Sequence, residues 1–268
     1  MNCQFGFIGC GNMGGALAMA LSETVSPDHI LLCDADTQKA ATLAEQLGAT
    51  STDLETVVNA ADYLFLGVKP QGVEGLFATI RPILKDKTSR TVLISMAAGV
   101  SISAVEQLAD AEIPVIRIMP NTPVSVGEGM ILYAANKQAT AGEIDTFCKA
   151  MSRAGRLDLI DESKIDAASA LSGCGPAFVY LFAEALADGA VECGLAREKA
   201  NFYAAQTLLG AAKLLLESGK HPGELKDAVC SPGGTTIAGV HALEESSFRA
   251  AGINAVTAAY EKTLKLKK

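Results

Sequence analysis

Basic clusters are nearly missing from this chain: the one close grouping of cations is Lys265, Lys267 and Lys268 at the C-terminus. Neutralising phosphates takes a Lys/Arg surface, and 22 cations against 30 anions leave a net charge of −8, so nucleic acid is excluded as the main partner. Histidine is also scarce. His29, His221 and His241 are scattered, and the seven cysteines form no Cys-x-x-Cys pair, so the sequence assembles no zinc cluster. An odd cysteine count without a signal-peptide pattern fits small reduced thiols in a cytoplasmic protein. Charge is absent from Met1 to Ser22 and again from Ala167 to Ala183. The first stretch lacks a basic n-region and is interrupted by Gly6, Gly9, Gly11, Gly14 and Gly15. The second falls short of a span and is broken by Gly173-Cys174-Gly175-Pro176, so neither is expected to cross a membrane. There is no internal repeat and no low-complexity linker.

What is present is apolar and periodic. At 268 residues and 49% apolar content the chain can bury one large core or two modest ones. Up to residue 160, short strand-like runs alternate with helical stretches: Gln4–Ile8, His29–Cys33, Tyr63–Leu66, Thr91–Ser95 and Val115–Ile118. This alternation predicts an α/β Rossmann-type domain over 1–160, a parallel sheet with helices on both faces. Met130–Tyr133 and Arg156–Ile160 are candidates for added edge strands. From 161 to 268 the strand-like runs stop and an all-α domain is expected. There Phe178, Leu181, Phe182, Ala185 and Leu186 form a stripe, and Val179 and Tyr180 make the helix apolar nearly all round. Such a helix belongs in a deep core or a subunit interface. A second copy of the chain is the expected partner.

Gly9-Cys10-Gly11-Asn12-Met13-Gly14 is a G-x-G-x-x-G between a strand and a helix. That context is what dinucleotide binding requires of the pattern, although a purely structural glycine turn is the alternative. Its glycines allow a tight turn, close approach of the pyrophosphate and close helix–strand packing. Asp34, 20 residues past Gly14, stands where an acidic side chain takes the adenosine ribose hydroxyls; the plainer reading is a solvated turn aspartate. Gly67-Val68-Lys69-Pro70-Gln71, Ser95–Ser101 and Met119–Pro123 each follow a strand, and ligands bind at the carboxyl ends of such strands. In the helical half, Ser231-Pro232-Gly233-Gly234-Thr235-Thr236 opens a helix with two hydroxyls. Bare N–H groups at a helix start receive a carboxylate, while ordinary N-capping by Ser or Thr is the competing account.

Taken together, GCGNMG, GVKPQ, SMAAGVS, RIMPNTP, LSGCGPAF and SPGGTTIAG resemble the pyrroline-5-carboxylate reductase family in order and spacing along the whole chain. The resemblance implies NAD(P)H-dependent reduction of a cyclic imine to L-proline, by a homodimer assembled to a decamer. It implies cofactor contacts at Ile8, Gly9, Cys10, Gly11, Asn12 and Met13, at Asp34 and Asp53, at Gly67, Val68, Lys69 and Pro70, and at Met96, Ala97 and Ala98. It implies substrate contacts at Glu162, Thr235 and Thr236, a loop shaped by Ser231 and Gly234, and Thr236 as the catalytic candidate. Two positions depart from the family pattern. Cys174 stands where many members have serine, and Ala228 where some present an asparagine to the cofactor.

Two rivals have specific signatures. A β-hydroxyacid dehydrogenase resembles this plan but places a catalytic lysine four residues after a Gly-x-Gly, where this chain has Val179. A non-catalytic nucleotide sensor would be expected to carry a damaged substrate loop, yet Ser231–Thr236 is intact. The NADP-or-NAD choice turns on Asp34-Ala35-Asp36, whose charge leans towards NADH although NADPH is the family's common donor.

Overall fold

Runs of branched and aromatic residues become eight strands in the computed structural model, which describes residues 3–266. Met1, Asn2, Lys267 and Lys268 lie outside the described residues, and with them most of the C-terminal lysine grouping. The strands are β1 (Phe5–Ile8), β2 (Ile30–Cys33), β3 (Thr50–Ser51), β4 (Tyr63–Leu66), β5 (Val92–Ser95), β6 (Val115–Met119), β7 (Gly129–Ala135) and β8 (Gly155–Leu159). Their order across the sheet is β3-β2-β1-β4-β5-β6-β7-β8. The first six in that order pair in parallel; β7 runs antiparallel to β6, and β8 runs parallel to β7. The order reverses between β1 and β4, the switch point where doubly wound sheets open a crevice.

Helices cover both faces, which is why the central strands are apolar on both sides. On one face Phe5, Phe7, Tyr63, Phe65, Ile94 and Ile118 pack against α1 (Asn12–Ser22), α2 (Thr37–Leu47) and α6 (Ala141–Ala150). On the other, Ile8, Leu64, Leu66, Leu93 and Val115 meet α3 (Leu54–Ala60), α4 (Val73–Asp86), α5 (Ile102–Ala109) and α7 (Ile165–Ser172). Local chemistry sets the ends of these helices. Ser101 caps α5 by accepting from the Ala104 N–H, Thr140 and Glu143 form a capping box on α6, and α2 stops at a left-handed Gly48.

The remaining helices are α8 (Gly175–Glu192), α9 (Arg197–Ser218), α10 (Pro222–Ala228), α11 (Thr235–Glu245) and α12 (Phe248–Leu266). The chain divides into two compact units: residues up to Cys174 with those from Tyr260 onward, and Gly175–Ala259. Strands give way to helices at about residue 160, but the division between units falls later. Helix α7 stays with the sheet because Ile165 is fully buried there and Asp166 pairs with Arg117.

The second unit has almost no core of its own. Its buried apolar cluster is Ala187, Ala200 and Ala204, while Leu181 is 68% exposed, Phe202 64% and Ile253 66%. Of the two fates expected for the apolar helix α8, a deep core within the chain is thereby eliminated. By length and composition alone Glu162–Glu192 would pass as a membrane span, and 11% of its most apolar window is buried. In the structure a 3-10 turn (Glu162–Lys164), α7 and α8 divide it. The exposed apolar surface continues onto α9 and α12, a pattern that suits helices covered by a second copy of the same unit.

In the first unit, Phe65 is fully buried, stacked on Phe7 with ring centroids 4.4 Å apart and tilted against Phe147 at 6.4 Å. Phe65→Ala is expected to cost about 3–5 kcal/mol. Urea unfolding followed by circular dichroism at fixed protein concentration measures it, and an unchanged midpoint would contradict this account of the core.

Candidate active site

The first candidate site begins where β1 meets α1. Gly9 has φ +104°, a conformation that favours glycine, and a β-carbon on Gly14 would run into the Gly9 carbonyl oxygen. Helix α1 therefore starts hard against the strand. Its N-cap, Gly11, offers no side-chain cap, and nothing lies within 4 Å of where a Gly11 β-carbon would stand. The leading N–H groups of α1 are thus left to an outside anion, with the positive end of the helix dipole behind them. A dinucleotide pyrophosphate fits this cradle.

Asp34 follows β2 and is tied to the same loop. Its Oδ2 accepts from the Cys10 N–H at 2.7 Å and its Oδ1 from the Asp36 N–H at 2.9 Å. A carboxylate has about four acceptor positions, so ribose hydroxyls can still bond to it. The Cys10 thiol is pushed up to about 12 by burial, with the Asp34 carboxylate adding to the effect, so it carries no thiolate at neutral pH.

Three further loops leave the carboxyl ends of β3, β4 and β5. Gly67, Val68, Lys69 and Pro70 follow β4, and the Gly67 N–H donates to the Ile8 carbonyl at 2.7 Å. Met96, Ala97 and Ala98 follow β5. Asp53 comes after β3 and is exposed; its carboxylate caps α3, accepting from the Thr56 N–H at 2.8 Å and the Thr56 hydroxyl at 2.9 Å. Those two bonds hold its carboxyl below the ordinary range. The side chain expected to touch the cofactor is engaged as a helix cap.

Glu162 is likewise engaged. Its Oε1 accepts from the Ile102 N–H at 2.7 Å and from Arg117 Nη1 at 3.1 Å, while Arg117 Nη2 donates to Asp166 Oδ1 at 3.0 Å. Arg117 and Asp166 are buried, in a sheet face otherwise lined by aliphatic side chains. Reading the sequence did not find this ionic group. The available signal was a single arginine inside the apolar run Val115-Ile116-Arg117-Ile118-Met119.

In the second unit, Ser231 and Gly234 lie in the turn before α11, and Thr235 and Thr236 are the first two residues of that helix. Gly234 is its N-cap and supplies no side-chain bond; Thr235 and Thr236 are exposed. Ala228 closes α10, and Cys174 lies half-buried between α7 and α8.

Comparison with known proteins agrees with both units. A family model for pyrroline-5-carboxylate reductase dimerisation matches residues 162–266, and one described as NADP oxidoreductase, coenzyme F420-dependent, matches 4–99. The chain is 42% identical to the pyrroline-5-carboxylate reductase of Methanosarcina acetivorans, covering 100% of this chain and 99% of that protein. It is 39% identical to that of Escherichia coli, covering 100% of both. The chain belongs to the pyrroline-5-carboxylate reductase family. Among solved structures, the Coxiella burnetii reductase superposes with a TM-score of 0.92 at 31% identity, covering 100% of both chains. The Plasmodium falciparum reductase, solved with NADP bound, gives 0.86 at 32%, covering 100% of this chain and 99% of that one. The coenzyme F420 description reaches only the nucleotide-binding half, whereas the reductase relatives match from end to end.

As a family reductase, this protein takes NADP or NAD at a Rossmann-type domain and carries a helical dimerisation domain. Gly14→Ala would force α1 away from β1, costing about 1–3 kcal/mol of stability. It is expected to weaken NADH binding tenfold or more, read by fluorescence titration without substrate. Wild-type affinity in that variant would rule out the close β1–α1 junction as the cofactor's cradle.

Proposed function

We propose that this protein reduces L-1-pyrroline-5-carboxylate to L-proline with NAD(P)H, the last step of proline biosynthesis. The carrying observation is that α11 starts at Thr235 behind Gly234, an N-cap with no side-chain bond, inside the family segment Ser231–Thr236. The N–H groups of that helix start would receive the substrate carboxylate, and the Thr236 hydroxyl would bond the ring nitrogen. Bound nicotinamide supplies the hydride. No histidine or lysine stands in this segment as a proton donor, and an imine that arrives protonated needs none. The chain's part is then to hold two reactants in register, an effect worth up to about 7–11 kcal/mol in well-oriented systems.

The same reading takes Ile8–Met13, Gly67–Pro70 and Met96–Ala98 as the cofactor's contacts, with residues 161–268 as the dimerisation and substrate domain. The working assembly is a homodimer, built five to a ring, and the free cysteines support a reducing cytoplasmic location.

Thr236→Ala removes a hydrogen bond to a charged nitrogen, worth about 1.5–3 kcal/mol. Turnover with the imine is expected to fall at least tenfold while NADH affinity is retained; an unchanged rate removes Thr236 from this role. Wild-type protein that oxidises neither nicotinamide in the presence of the imine would defeat the proposal as a whole.

Cofactor choice rests on Asp34. A 2′-phosphate about 4 Å from its carboxylate would be repelled by about 4 kcal/mol at an effective dielectric near 20, cut to roughly a third by exposure and screening. NADH is therefore expected to be used well and to be preferred. In Asp34→Ser the ratio of kcat/KM for NADPH over NADH should rise about tenfold. A strong NADPH preference that stays unchanged in that variant would show that the carboxylate does not face the ribose.

A further inference from the structure

Arg117 lies in the middle of β6, paired in register with Ser95 at the end of β5, and is 3% exposed. Its guanidinium bridges two carboxylates, Nη1 to Glu162 at 3.1 Å and Nη2 to Asp166 at 3.0 Å. Glu162 passes the connection on, because the same Oε1 that meets Arg117 also accepts the Ile102 N–H at 2.7 Å. Ile102 is the first residue of α5, and Ser101, its N-cap, ends the loop that begins at Met96. One buried side chain thus ties β6, α7 and the start of α5 together.

Stability alone does not account for this arrangement. Charges taken out of water lose hydration, and packed apolar side chains of similar volume hold a core as well or better. What the ionic group supplies is fixed geometry. A fork of planar donors sets two carboxylates at once, and a carboxylate at a helix start is favoured by the dipole. The Glu162 side chain remains 32% exposed, and its Oε2 has no hydrogen-bond partner among the described residues.

We infer that Arg117 is a positioning residue of the reductase site. It holds Oε1 of Glu162 inward, which fixes the Met96–Ser101 loop through Ile102 and leaves Oε2 for the substrate. A lysine at this position would keep the charge but lose the fork. The inference rests on the imine-reductase reading above, with Glu162 as a substrate contact.

The test is a double-mutant cycle in the full-length protein, using Arg117→Lys, Glu162→Gln and the double variant. Each single variant is expected to lower kcat/KM for pyrroline-5-carboxylate tenfold or more. The NADH dissociation constant of Glu162→Gln, read by fluorescence without substrate, should stay within threefold of wild type. The double variant should be no worse than the poorer single one, because Arg117 acts through Glu162. Losses that multiply, or an unchanged kcat/KM in Arg117→Lys, overturn the inference and leave the reductase reading standing. Should Arg117→Lys fail to fold, Glu162→Gln decides it: that variant keeps an oxygen acceptor for Ile102 and Arg117, and full activity in it overturns the inference. A wild-type protein inactive on the imine removes the reductase reading and the inference with it.

Discussion

Gly9 and Gly67 lie so close that a β-carbon on either would stand within 3 Å of the other's backbone oxygen, and the nucleotide half is organised around that approach. It lets β1 and β4 remain neighbours to their last residues, with the Gly67 N–H on the Ile8 carbonyl, while the Gly9 N–H reaches the Cys33 carbonyl at the end of β2. Both chains can then turn away at the switch point without a side chain in the crevice. The uncapped start of α1 follows from the same constraint, since a residue with a capping side chain at Gly11 would occupy the space an anion needs. Backbone proximity, more than any single polar group, leaves room for a ligand at this end of the sheet.

The second unit depends on a different force. Three buried alanines cannot stabilise helices of 18 and 22 residues, because alanine buries little apolar area. The apolar side chains left outside, from Leu181 on α8 to Ile253 on α12, carry the surface that must be removed from water. Folding and association are therefore coupled in this half. If α11 carries the substrate segment as proposed, that segment would take its rigidity from the dimer as much as from its own chain.

The sequence made the sheet legible where strands are buried on both faces, since Tyr63–Leu66 or Val92–Ser95 has few other uses in a soluble core. It did not reveal β3, whose two residues, Thr50 and Ser51, are exposed and are strand only because they pair with β2. Helical texture begins near residue 161, where the dimerisation family match also begins, while Ile165 and Asp166 pack on the sheet through contacts that periodicity cannot express. Of the candidate site, the glycine loop and its acidic partner were readable because their chemistry is local. Asp53 and Glu162 were readable only as positions. Asp53 caps α3 through Thr56, three residues on, whereas Glu162 answers Arg117 across 45 residues and depends on neighbours brought together by the fold.

Asp34 and Glu162 share a design. Each is a carboxylate that accepts a backbone N–H at the edge of the nucleotide domain, Cys10 for one and Ile102 for the other, and Glu162 does so while paired with Arg117. In a chain of net charge −8 this has a chemical consequence. At Asp34 fixed negative charge would disfavour a 2′-phosphate, and at Glu162 it would favour a reactant whose imine is protonated. On the proposed imine-reductase reading, Ser231–Thr236 holds no histidine or lysine to act as proton donor, and the Glu162 carboxylate would favour an imine that is already protonated. Under that reading, charge held in place would do the work that a proton donor does elsewhere.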